Sequence, residues 1–455
     1  MVWCLVATMA MLSACSGSDY LNAIPKKSTA LISVDMQQMA DQDNMADKTG
    51  MLQSLLHVED ASQCGIDLAA KMYLFESADG NLGLCAKVKS ESDVSDWLAS
   101  LSKQHLCTPV KERKGFSFSV LKDSWLVGFS DEALLIMGPV VADAQAQLQQ
   151  QMVKYLKADE EDGITASPMY ERLQTLESPM AMVAQAQALP EKFVAPFTLG
   201  APKDTDPSQV VIAADMEVKN GILQIKGETF SFNNTIDAAL KKAAQTYRPI
   251  KGTYVKSMAC DALAGIFMNV KGERFLPMMQ SNRSLQTLLM GINQAVDMDN
   301  IIRSVDGDMS IVMPALSGDN MKMQMAAKLA HSKWLGDVDY WKKSCPAGAK
   351  IANWGKNSYF YTDGKTSFYF GVTDDKQFFS GSDELSAQYA IQPSSHPVDA
   401  KVQQLVVGQK LAMVINLSKS EASDQKDGKG DAISTITGLL TPIFGNLNSI
   451  VYTLK

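Results

Sequence analysis

Histidine is scarce in this chain: 455 residues hold only four, at His57, His105, His331 and His396. They are far apart, no His-Glu-x-x-His occurs, and no Gly-x-Ser-x-Gly elbow surrounds any serine, which removes the common zinc-protease and hydrolase arrangements. Each histidine is expected to face solvent. Walker A and dinucleotide glycine loops are missing too, so no phosphate cradle is written in the chain. Basic residues are in deficit, 42 against 50 acidic, and the net charge of −8 speaks against nucleic acid, where binding rests on neutralised phosphates. No apolar run approaches the roughly 20 residues that span a bilayer. What is present is ordinary globular material, 46% hydrophobic and 20% charged, long enough for two or three folded units.

The address is in the first fifteen residues, MVWCLVATMAMLSAC. Val2 to Leu12 is too short to span a membrane and the right size for the apolar centre of a signal peptide. It ends in Leu12-Ser13-Ala14-Cys15, which resembles a bacterial lipobox. Small residues admit the peptidase, and the Cys15 thiol would carry acyl chains that anchor by burying methylenes. Residues 1–14 are therefore expected to be a lipoprotein signal peptide, 15–27 a tether, and Cys15 the lipidated residue. No Lys or Arg precedes Cys15, so the chain is expected to start a few residues inside its natural beginning. Ser16-Gly17-Ser18-Asp19 lacks the acidic cluster of a surface-export signal, which favours an outer-membrane anchor facing the periplasm.

Beyond Cys4 and Cys15 stand Cys64, Cys85, Cys107, Cys260 and Cys345, an odd number with no Cys-x-x-Cys. At most two disulfides could form, with no pairing indicated; buried free thiols are the plainer expectation.

An internal repeat organises the rest. Residues 116–132 (FSFSVLKDSWLVGFSDE) align without a gap on 359–375 (YFYTDGKTSFYFGVTDD), so that Phe116 meets Tyr359, Gly128 meets Gly371 and Asp131 meets Asp374. Each reads as a β-hairpin. Upstream, Ala86-Lys87-Val88 matches Ala327-Lys328-Leu329, and Met72–Phe75 matches Met309–Met313. Further matches are Ala30–Val34 with Leu263–Phe267, and Met180–Val183 with Leu411–Val414. A strong hairpin, Val210–Val218 and Ile222–Phe232 about Asn220-Gly221, follows the first copy. Its counterpart is Asn448–Lys455, where only one strand remains; this predicts a second module that lacks its final strand or leaves an open edge.

The expected fold is α+β: a tandem duplication of an antiparallel sheet module with helices packed on one face, spanning 28–235 and 236–455. With the lipobox at Cys15, the segment Tyr20–Val34, Gly65-Ile66-Asp67, the Val305-Asp306-Gly307-Asp308 turn and the paired hairpins, the chain resembles a Bacteroidales lipoprotein family of unknown function. The resemblance covers nearly the whole mature chain and implies no activity, cofactor or catalytic residue.

Two further stretches could carry chemistry. Asp424–Asp431 (DQKDGKGD) has oxygen ligands but not the alternation of a calcium loop, and reads as a solvated loop. Met321-Lys322-Met323-Gln324-Met325 alternates, so one strand face would carry three thioethers; core packing is favoured over Cu(I) or an apolar groove. The expectation is a lipid-anchored, non-catalytic binding or scaffold protein of the cell envelope, without catalytic, cofactor or metal residues. It would touch the membrane through Cys15 and an envelope protein through its body, and bind no nucleic acid. A carrier of an apolar ligand or peptide in a groove between the modules is the alternative.

Overall fold

The structure, a computed structural model, describes residues 18–42, 61–189, 191–282, 295–314, 316–317, 320–417 and 447–454. The signal segment, Cys15, His57 and Asp424–Asp431 lie outside the described residues. The chain divides into two compact units, Met1–Ala188 and Leu189–Lys455.

In the first unit the strands are β1 (Ala30–Val34), β2 (Met72–Glu76), β3 (Leu82–Lys87), β4 (Lys111–Arg113), β5 (Phe116–Leu121), β6 (Trp125–Phe129), β7 (Ala133–Gly138) and β8 (Met180–Gln185). They pair antiparallel in the order β8-β1-β2-β3-β7-β6-β5-β4. The helix Glu91–Lys103 shows why one face is covered. Ser90 caps its first turn, accepting from Asp93 N, and Val94, Trp97, Leu98 and Leu101 form a buried stripe at helical spacing. That stripe meets Val127, Phe129 and Leu134. Gly128 points the other way, against Phe118 and against Met152 of the helix Gln145–Leu156.

The second unit contributes β9 (Val211–Lys219), β10 (Ile222–Phe230), β11 (Tyr247–Arg248), β12 (Ala264–Lys271), β13 (Val305–Met313), β14 (Leu316–Ser317), β15 (Asn320–Met321) and β16 (Gln324–Leu329). After them come β17 (Lys350–Gly355), β18 (Ser358–Thr362), β19 (Ser367–Val372), β20 (Gln377–Gly381), β21 (Leu411–Asn416) and β22 (Ser449–Leu454). The order β21-β12-β13-β16-β20-β19-β18-β17 repeats that of the first unit strand for strand. On the other side of β21 the sheet continues through β22 to β10 and β9. β10 and β22 run parallel; every other pairing named here is antiparallel.

The hydrogen bonds of the two units correspond as closely as the strands. Val34 stands opposite Met72 and Met180, and Met268 opposite Met309 and Leu411. This sets Val34 against Met268, one residue beyond the Phe267 expected from sequence. Continued outward at the same offset, Tyr20 falls on Tyr254 and Pro25 on Ala259. Pro25 bridges Gly163 as Ala259 bridges Pro397, and Lys26 N donates to Asp162 O (3.0 Å) as Cys260 N donates to His396 O (2.8 Å).

Three expectations are corrected. Helices cover both faces of each sheet rather than one. In the second unit Met268 and Val270 join the helices Gly272–Ser281 and Met298–Arg303, while Phe267 on the opposite face meets Val402 and Val406 of the helix Ala400–Val406. Two-sided burial requires strands apolar at successive positions, as in Ala133–Gly138 (ALLIMG) and Leu411–Asn416 (LAMVIN). Second, the hairpin match carries a three-residue slip. Phe118 faces Gly128 and Ser358 faces Gly371, so Phe118 corresponds to Ser358 and not to Tyr361. An odd slip reverses the face, and Tyr361 accordingly packs with Trp334 and Trp341, on the side opposite to that of Phe118. Third, β22 is no open edge: Ile222–Gly227 of β10 lie on one side of it and Ala412–Asn416 on the other. The same pairing explains why the hairpin β9–β10 belongs with the second unit, whereas the sequence placed the module boundary after residue 235.

Candidate functional site

The Val305-Asp306-Gly307-Asp308 segment forms the start of β13 and anchors a buried polar network. Asp308 is 3% exposed. Its Oδ1 accepts from Lys251 N (2.9 Å) and Asn269 Nδ2 (2.8 Å), and its Oδ2 from Thr253 N (2.9 Å). Asn269 Oδ1 in turn accepts from Arg248 Nε at 2.9 Å, and the same guanidinium donates to Val270 O (2.8 Å) and pairs with Asp306 at 2.8 Å. The network pins the segment that carries Lys251, Thr253 and Tyr254 onto the sheet. A carboxylate whose two oxygens already hold three donors is spent on structure, which is how a buried charge is made tolerable. Tyr254 is buried beside it with no hydrogen-bond partner for its hydroxyl. Burial first, then the carboxylates of Asp308 and Asp375, push its phenol up.

The corresponding corner of the first unit is built from tyrosines. Tyr20 Oη donates to Lys71 O at 2.7 Å, and the rings of Tyr20, Tyr73 and Tyr170 lie in sequence with centroids 6.3 and 6.4 Å apart. Cys85 lies fully buried beneath, its thiol donating to Tyr20 O at 3.4 Å. Burial pushes up the phenols of Tyr20 and Tyr73 and the Cys85 thiol. A thiol held protonated in this way is not a nucleophile at neutral pH.

The residues singled out from sequence do not converge on a site. Cys64 and Cys85 are buried, Cys107 and Cys345 half-buried and Cys260 exposed, each as a thiol rather than half of a disulfide. His105 and His396 are exposed as expected. His331 departs from that expectation: it is partly buried, and its Nδ1 has no partner. The methionine array is broken. β15 ends at Met321, β16 begins at Gln324, and Met323 N between them is held by Ser382 Oγ at 3.1 Å, so no single strand face carries all three. Among the described residues no group of three or more His, Cys, Asp or Glu could hold a metal ion. The Asp308 network escaped sequence reading because its donors lie 39 to 57 residues away, and Asp-Gly-Asp reads locally as a turn.

A family described as "Domain of unknown function (DUF4836)" matches residues 20–398. The chain belongs to that family. The DUF4836 match begins at the buried Tyr20 and takes in both polar corners just described. No curated protein matches the chain. Two solved structures are similar to parts of it. Crystal form IV of TP0453 has a TM-score of 0.28 and 8% identity, covering 44% of this chain and 76% of that one. Crystal form III of TP0453 has a TM-score of 0.21 and 7% identity, covering 82% of this chain and 96% of that one.

Proposed function

We propose that this DUF4836 protein is a lipid-anchored, non-catalytic binding or scaffold protein of the bacterial cell envelope, of the Bacteroidales type. Cys15 would fasten it to the outer membrane on the periplasmic side, and its body, a tandem duplication, would hold an envelope protein. The reading is carried by Leu12-Ser13-Ala14-Cys15 behind the apolar run Val2–Leu12. A lipid anchor suits a body in which, among the described residues, no helix is long and apolar enough to cross a membrane. Duplication is supported by the repeated strand order and by the matching bridges at Pro25 and Ala259. The non-catalytic reading is supported by how the buried polar groups are used, since Asp308 and Cys85 are each bonded into the fold.

Growth with an alkyne-bearing fatty acid tests the anchor. The protein should take up the label and sediment with the envelope. Cys15→Ser should lose the label and leave the membrane fraction; a label that survives Cys15→Ser overturns the assignment.

A further inference from the structure

β22 owes both its neighbours to distant parts of the chain. It lies parallel to β10, from Ile222 opposite Ser449 to Gly227 opposite Leu454, and antiparallel to β21, from Ala412 opposite Thr453 to Asn416 opposite Ser449. All six of its residues are buried, including Ser449 and Thr453. Its start is tied down twice: Asn448 N donates to Gly221 O at 2.7 Å, and Ser449 Oγ meets Asn416 Oδ1 at 3.2 Å. Side chains lock it on both faces, Val451 among Phe267, Ala412 and Val414, and Tyr452 edge-on to Phe197 with centroids 4.8 Å apart.

β10 and β21 are joined through β22. Without it they leave two rows of unpaired N–H and C=O groups facing one strand-wide groove, lined by the apolar residues that now cover Val451. Such a groove recognises an extended segment by ladder hydrogen bonds and alternate side-chain pockets. Neither wall is linked to β22 by a short turn, so local connectivity does not decide whose β22 enters. A second copy carries the identical segment and an identical groove, and mutual exchange closes both grooves with no new surface required.

We propose that the groove between β10 and β21 is a strand-acceptor site, and that two copies of this chain can pair by exchanging residues 447–454. A tethered strand competes at an effective concentration of about a millimolar, so folded monomers prevail in dilute solution. Exchange is set when chains refold together at high concentration.

The test refolds equal amounts of nitrogen-15-labelled and unlabelled full-length protein at rising concentration and reads native mass spectra. Mixed-isotope dimers should increase with refolding concentration and persist on dilution until the protein is unfolded. Monomers throughout, or dimers that form on mixing folded chains and part at once on dilution, overturn the proposal. A second arm uses a chain ending at residue 446 and a synthetic peptide of residues 447–455. Where the shortened chain folds, it should bind one peptide and melt at a higher temperature, and a peptide with Val451→Pro, lacking a ladder N–H, should bind at least tenfold more weakly. Equal binding of both peptides, or of neither, overturns the acceptor site. Where the shortened chain does not fold, the isotope experiment decides.

Discussion

Glu76 closes β2 with its carboxyl half-buried beside Thr29. Burial raises its affinity for a proton, and a hydrogen bond from Thr29 offsets part of the rise. A carboxyl whose folded pKa lies above its unfolded value supports the fold fully below the unfolded value, 4.5 here, and that support is lost as pH rises through the folded value. At neutral pH the ionised Glu76 is therefore a cost. Glu76→Gln removes it, so the variant should melt above wild type at pH 7, with the gap closing by pH 4. Melting curves at half-unit pH steps would show this; parallel curves across the range would refute it. Nothing in the sequence marks Glu76, since its neighbour Phe75 reads simply as the last apolar residue of a strand. Asp308 and Cys85 are the same kind of case. Their environments are made by residues remote in the chain, and single-sequence reading has access only to near ones.

At the scale of elements, much was legible because strands announce themselves by composition. Asn220-Gly221 marks its hairpin through two successive positive φ angles, 54° and 72°, which few other residue pairs tolerate. Neither the order of strands in the sheet nor their register was legible. The turn after β5 occupies Lys122–Ser124, whereas that after β18 occupies Asp363–Thr366, and neither length is recoverable from matching aromatic residues. The contact of the helices Gly272–Ser281 and Met298–Arg303 was equally hidden. There a Cβ on Gly272 would stand 1.9 Å from Ile302 O and 2.8 Å from Arg303 O. Both are backbone atoms and cannot swing away, so Gly272→Ala must part the helices and loosen Phe275, Leu276, Ile301 and Ile302, all buried. We expect a loss of about 1–3 kcal/mol in urea unfolding. Gly336→Ala, where an added methyl meets nothing within 4 Å, should stay within about 0.5 kcal/mol of wild type.

For the whole molecule, the question is whether the two units open together. Each has its own run of paired strands and its own clusters of buried side chains, Val94 to Phe129 in the first and Phe275 to Trp341 in the second. Buried thiols report on the first unit and buried amides on the second: Cys64, Cys85 and Cys107 lie in the first unit, Cys260 and Cys345 in the second. In the native protein Cys260 should react at once with a thiol reagent, Cys107 and Cys345 more slowly, and Cys64 and Cys85 only on opening. Asp308→Ala strips the acceptor from Lys251 N, Thr253 N and Asn269 Nδ2. Leaving buried donors unpaired costs about 1–3 kcal/mol each at most, and water reaching part of the vacated space lowers the sum. A second unit weakened by about 2–4 kcal/mol opens some thirty- to several-hundred-fold more often, and hydrogen exchange of the buried β12 amides at Phe267 and Met268 should accelerate accordingly. If the units open independently, Cys64 and Cys85 keep their wild-type rates in the same sample. Acceleration of Cys64 and Cys85 by the same factor as those amides would instead make the chain one cooperative body.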